Sequence, residues 1–223
     1  ATRRNTTFKS LSSETHPLRL TRIPVASDGH LRVTFCPGRK DVSAYTGAQW
    51  QRDSDMDVQR LASLGVDTLV LLVGPGELKA IGAEDLIAAA GRAGLALEMH
   101  TMHADEAIEG EHYTSFLATV AAVAERLERG RHIALASRGG QGRTGAVAAA
   151  LLVRQGASGP DAIDAIRELR GPRSPSAEGV TAVLRLGQEG TQQNAAQEDA
   201  SQQDASQQDA SFDDTEGVQA KGS

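Results

Sequence analysis

The chain has 223 residues, 39% of them hydrophobic, 3% aromatic and 23% charged, with a formal net charge of −6. That length buries one substantial core, favours one domain with tails over two domains, and with so few aromatics the core must be built from Ala, Leu, Val and Ile. Eight acids against Lys221 alone fall in residues 189–223, so the preceding body is close to neutral and makes no electrostatic case for nucleic acid or a membrane surface.

No apolar run approaches the ~18 residues of a membrane span, and the single Cys36 cannot form an internal disulfide and fits a reducing compartment. The expectation is a soluble, cytoplasmic protein.

Residues 1–16 show no apolar periodicity and read as a flexible lead-in to a domain spanning 17–188. LRLTRI (18–23) and LRVTF (31–35) read as strands with an Asp-Gly turn between them. Pro37 and Gly38 punctuate the end of the second strand, and Asp53 or Ser54 is placed to cap a helix that stops before Gly65.

VDTLVLLV (66–73) is a continuous apolar run suited to a strand covered on both faces. A helix over 83–94, a strand over 95–99, a long helix over about 110–129 and a strand over 132–136 follow. The quoted periods then place helices from Thr144 to about Gln155, over 159–170 and over 176–188. Alternating strands and helices predict a three-layer α/β domain around a central, mostly parallel twisted sheet of four or five strands. The tail, 189–223, repeats SQQDA without any large apolar residue. Its composition offers no face to bury and predicts a solvated, disordered segment.

The chemistry concentrates in SRGGQGRTG, residues 137–145, between an apolar strand and an alanine-rich helix. A strand that ends in a glycine-rich turn and enters a helix gathers backbone N–H groups and the helix N-terminus around one point, which makes an anion site. Gly139, Gly140 and Gly142 permit the tight turn, and Arg143 offers a planar two-donor fork to an oxyanion. Neither the GxxxxGK[ST] loop of ATP-binding proteins nor the GxGxxG dinucleotide loop is present.

SRGGQGRTG resembles the C-x5-R-[ST] phosphate loop of the cysteine-dependent protein tyrosine and dual-specificity phosphatases, with Ser137 at the position of the nucleophilic cysteine. TFCPGRKD (34–41), the W-x-RD segment from Trp50 to Asp53, GVDTLVLLVGPGEL (65–78) and AIDAIRELRG (162–171) are similar to the kinase-associated group of that superfamily, in its bacterial form. The resemblance covers about 18–171 and implies a fold of the protein tyrosine phosphatase type. It implies a phosphorylated protein or peptide substrate, attack by a thiolate to give a phosphocysteine, and no cofactor.

Carried over by position, it makes Ser137 the nucleophile site, Arg143 the oxyanion fork, Thr144 the hydroxyl partner of the nucleophile and Asp105 the general acid. The backbone from Arg138 through Gly139, Gly140, Gln141 and Gly142 to Arg143 holds the phosphate, and a phosphate or sulfate ion is expected to occupy the same loop. Two departures stand out. The family has a histidine before the nucleophile where this chain has Ala136, and a serine hydroxyl is not ionised at neutral pH as a thiol at a helix N-terminus is.

The chain as written is expected to bind phosphate and fail to turn it over, as an enzyme whose cysteine has been replaced and which traps its ligand. The alternative is a natural pseudophosphatase that reads phosphate without hydrolysis. A phosphoinositide or RNA-end phosphatase is a third reading, weakened by the absence of lysine between Arg138 and Arg143.

Other candidates have plainer readings. His100, His103 and His112 fall in one region but lack a zinc-like spacing, so no metal is expected. His103 tunes or shields the acid loop; Asp85, Glu106 and Glu109 are solvated carboxylates; Cys36 is a small packed residue. Arg173, in GPRSPS, is a candidate for the substrate mouth and equally a surface arginine.

Overall fold

The computed structural model describes residues 10–43 and 47–216. Its elements are β1 (Ser10–Ser12), β2 (Thr21–Ile23), β3 (His30–Phe35), β4 (Gln49–Gln51), α1 (Ser54–Ser63), β5 (Thr68–Leu71), α2 (Pro75–Ala80), α3 (Leu86–Arg92), β6 (Ala96–Met99), α4 (Gly110–Glu128), β7 (His132–Ser137), α5 (Gly142–Arg154), α6 (Gly159–Arg170) and α7 (Ala177–Glu216).

The main sheet has five strands in the order β2-β3-β7-β5-β6. Only β2 runs antiparallel, against β3, while β3, β7, β5 and β6 are parallel to one another. This is the mostly parallel sheet that alternation predicts. Its side chains sort by the period of two. Val70, Leu72, Ile133 and Leu135 pack on one face with Phe116, Val120 and Ile163 from α4 and α6. Leu69, Leu71, Val73, Ala134 and Ala136 pack on the other with Val58, Leu61, Leu78 and Leu86 from α1, α2 and α3. Strands covered on both faces carry apolar residues at successive positions, which is why 66–73 reads as one unbroken run.

The structure adds elements that local patterning did not show. α2 begins at Pro75, whose missing N–H and fixed φ suit a first helical position; the Gly-Pro-Gly run otherwise reads as a loop. β1 and β4 form a two-stranded parallel pair, so the ordered body begins earlier than residue 17. Residues 12–16 are tied down by Arg52, whose Nη1 donates to the His16 carbonyl at 2.8 Å. Arg52 is itself fully buried in a two-pronged pair with Asp57, at 2.7 Å on each prong.

α7 differs most from the composition-based expectation. Its first turns carry the buried Ala182 and Val183, but the helix continues to Glu216 through the repeat. Residues 191–197 are exposed all round, so over that stretch helix propensity of Ala and Gln rather than burial carries the helix on. No helix among the described residues is long and apolar enough to cross a membrane.

Candidate functional site

Parallel strands β3, β5 and β7 all end at one edge of the sheet, and the loops leaving them converge there, as in open α/β sheets generally. Ser137 is the last residue of β7 and is 2% exposed. Its Oγ accepts a hydrogen bond from the Gly140 N–H at 3.2 Å. Gly140 sits at φ +63°, and a Cβ there would lie 2.4 Å from the Thr34 carbonyl oxygen, so the turn folds against β3 only because the residue is glycine.

α5 then starts at Gly142, two residues before the sequence-based start at Thr144, and no side chain caps it. Its first N–H groups lack intrahelical acceptors and stand at the positive end of the helix. The glycine turn of SRGGQGR and the uncapped start of α5 therefore lie together at the end of β7.

Arg143 shows how the fork is aimed. Glu77 holds the guanidinium end-on, with Nη1 and Nη2 each donating to one carboxylate oxygen at 2.7 Å. Nη1 also reaches the Leu72 and Met102 carbonyls at 3.1 and 3.0 Å. A guanidinium has five N–H donors in a fixed plane. The side edge, Nε–H with the second Nη2 hydrogen, remains for a ligand in the cleft that Arg143 lines.

Arg138 contributes backbone rather than its charge. Its side chain donates to Asp41 at 2.8 and 3.0 Å, while its carbonyl accepts from Arg39 Nη1 at 2.8 Å. Asp41 also accepts both prongs of Arg39 at 2.6 and 2.9 Å. Burial would raise the Asp41 carboxyl, but the two guanidiniums outweigh it and hold the group below its ordinary value. The far side of the loop is fixed by Arg170, which donates to the Gly140 carbonyl and, at 2.6 Å, to Thr21 Oγ1.

A cleft of about 270 Å³ opens over this loop, lined by Ser137, Gly139, Gln141, Arg143, Asp105, Glu106, His103 and Arg173 among others. Asp105 is exposed, at φ +58°, the one non-glycine residue with positive φ among those described. Ser137, Arg143 and Asp105, far apart in sequence, thus share one cavity. Arg173 lies at its wall.

Thr144 departs from its expected role. Its buried hydroxyl donates to the Gln141 carbonyl at 3.4 Å, while Oγ of Ser137 accepts from the Gly140 amide. Thr144 shapes the turn instead. Cys36 is a fully buried thiol, pushed up to about 12 by burial; it is packed, as expected.

Sequence reading missed Glu77, Arg39 and Asp41. GPGEL and CPGRKD stood in the quoted segments, yet their partners are 66 to 99 residues away. It also set aside the histidines. His100 turns to Glu98, at 3.5 Å, but His103, Glu106 and His112 bring one ligand-type atom each to within 4.8 Å of one another.

The five-stranded, mostly parallel sheet and its flanking helices have the fold of the cysteine-dependent protein tyrosine and dual-specificity phosphatases. Solved structures agree. The chain is similar to a kinase associated phosphatase whose catalytic-site cysteine was substituted by serine, at 22% identity and a TM-score of 0.65, covering 75% of this chain and 92% of that one. It is similar to the active form of Tk-PTP at 20% identity and 0.54, covering 72% and 92%. It is similar to PTPMT1 at 15% identity and 0.57, covering 80% and 99%. No family model matches the chain, and no curated protein does.

Proposed function

We propose that this chain carries the active site of a protein phosphatase of the tyrosine or dual-specificity type, held in a binding-competent and catalytically silent form by Ser137. The observation that carries the reading is the Glu77-held Arg143 fork beside the uncapped start of α5, above Ser137 on the cleft floor. A phosphate monoester entering the cleft places its non-bridging oxygens on the loop N–H groups and the Arg143 side edge, and its phosphorus faces Oγ of Ser137. Asp105 stands on the wall where the bridging oxygen would take a proton.

The missing step is nucleophilic attack. A thiolate at this helix end is ionised at neutral pH, whereas a hydroxyl keeps its proton without a base. Oxyanion binding survives, because the donors are backbone and Arg143, and a neutral hydroxyl does not repel the incoming dianion.

A natural phosphate-reading module is the second reading, favoured by Ala136, which fills a buried position in the core beneath the loop. Two measurements separate them. Calorimetry with a phosphotyrosine peptide should show binding to the Ser137 protein that Arg143→Ala weakens by about 1.5–3 kcal/mol. Ser137→Cys should then gain phosphatase turnover if the site is an enzyme's, and gain none if the module only reads phosphate. Binding indifferent to Arg143 would remove both readings.

A further inference from the structure

We propose that His103, Glu106 and His112 bind a transition-metal ion of the zinc class, which fastens the loop carrying Asp105 to the first turn of α4. The site is separate from the phosphate cradle and does not depend on whether the chain hydrolyses phosphate.

The chemistry of the donor set is specific. Two imidazoles and one carboxylate, with positions left for water, make a ligand set that suits zinc and its neighbours rather than calcium or magnesium, which take oxygen ligands. The geometry aims these groups at a common point. Nδ1 of His103 lies 3.9 Å from one oxygen of Glu106, and Nδ1 of His112 lies 3.7 Å from the other. Each nitrogen therefore lies beside a different oxygen of one carboxylate, with the two rings 5.3 Å apart.

Neither separation is a hydrogen bond, for which the heavy atoms stand about 2.7–3.2 Å apart. The three atoms outline a gap instead. Ligand atoms at zinc distances of about 2.0–2.1 Å sit roughly 3.3 Å from each other in a tetrahedron. The triangle, within 4.8 Å on every side, has to contract by about 1.5 Å at most to meet that geometry. All three side chains are about half exposed, so rotamer changes suffice and a metal can enter from solvent.

Sequence spacing hides this site because the fold makes it. Asp105 at φ +58° turns the chain between His103 and Glu106, and His112 arrives from α4. The ion would lie where two cavities meet. His103 and Glu106 line the main cleft, and all three line an adjoining hollow of about 90 Å³. A bound cation would neutralise Glu106 at the cleft mouth and hold the segment on both sides of Asp105.

The test is calorimetric titration of the metal-free full chain with zinc chloride, alongside hydrogen exchange over residues 102–113. One equivalent should bind, with protection appearing in that segment. Removing a ligand should cost at least the roughly tenfold typical of losing a mere supporting contact, so His112→Ala and Glu106→Gln should each weaken binding by more than that and abolish the protection. His132→Ala, at the start of β7 and far from the loop, should leave both unchanged. No zinc binding, or binding that survives His112→Ala, or protection appearing elsewhere, would overturn the site. Because neither readout involves phosphate, failure here leaves the phosphatase reading standing, and loss of phosphopeptide binding leaves this site standing.

Discussion

Asp105 and Asp41 are both loop carboxylates in the sequence, and their surroundings give them different work. Asp105 is exposed on the cleft wall; under the general-acid role proposed for it, it should matter most where the leaving group is poor. In a Ser137→Cys background, Asp105→Asn should slow hydrolysis of phosphopeptides by about 10²–10⁴ and activated aryl phosphates much less, read from steady-state rates on both substrates. Equal losses would place the acid elsewhere. Asp41 instead pins Arg39 and Arg138 under the loop. Its folded-state pKa lies below the ordinary carboxyl value of 3.8, so its stabilisation is present above that pH and is lost as pH falls through the folded value. The gap in urea midpoint between the native chain and Asp41→Asn should be full near about pH 6 and close below about pH 3.8; a gap that stays constant in acid would mean that the charge contributes nothing.

The loop between β7 and α5 was the most legible element, because a strand, a glycine run and an alanine-rich helix adjoin in the chain and each leaves its own local signal. Ser137, Arg143 and the glycines could be named from that stretch alone. What positions Arg143 could not, since Glu77 belongs to α2, a helix of six residues too short to show a period. The same limit hid β1 and β4, three residues each. The partner of the Thr144 hydroxyl, the Gln141 carbonyl, was not legible either, because neighbours in a motif need not be neighbours in hydrogen bonding once the turn is folded. At this scale the glycines are not equivalent. A Cβ on Gly140 would meet Thr34 and Phe35 backbone at 2.4–2.5 Å at a positive φ, whereas one on Gly139 meets nothing within 4 Å. Gly140→Ala should therefore lose well over about 1 kcal/mol of stability and loosen the Ser137–Gly140 contact that shapes the cradle. Gly139→Ala should stay within about 0.5 kcal/mol. Denaturant midpoints of the two variants decide it, and equal midpoints would mean that the loop does not press on β3 as described.

Across the whole molecule, α7 divides at Glu189. Before it, Ala182 and Val183 are buried, and Val180, Leu184 and Leu186 pack against the same core face. Glu189 itself accepts a hydrogen bond from the buried Tyr113 hydroxyl at 2.8 Å and pairs with Arg185, whose guanidinium lies 3.8 Å above the Tyr113 ring. This cluster locks the last core turn of α7 to the start of α4, the helix that also carries His112. Burial first, and then Glu189, push the Tyr113 phenol up to about 12, as expected of a hydroxyl held as a donor to a carboxylate. Just beyond Gly190 the helix leaves this cluster, and residues 191–197 are exposed. Two truncations a few residues apart should thus behave differently. A chain ending at Gly190 should melt within about a degree of the full chain, because the turns that follow it directly, 191–197, are exposed. A chain ending at Gly187 strands the Tyr113 hydroxyl and should lose about 1 kcal/mol or more, lowering Tm by roughly 2–4 °C for a body of this size. Thermal melts of the pair give the answer directly. A drop of several degrees already at Gly190 would show that the repeat helix packs on the domain, and identical melts for both would mean that the Tyr113–Glu189 contact contributes no stability.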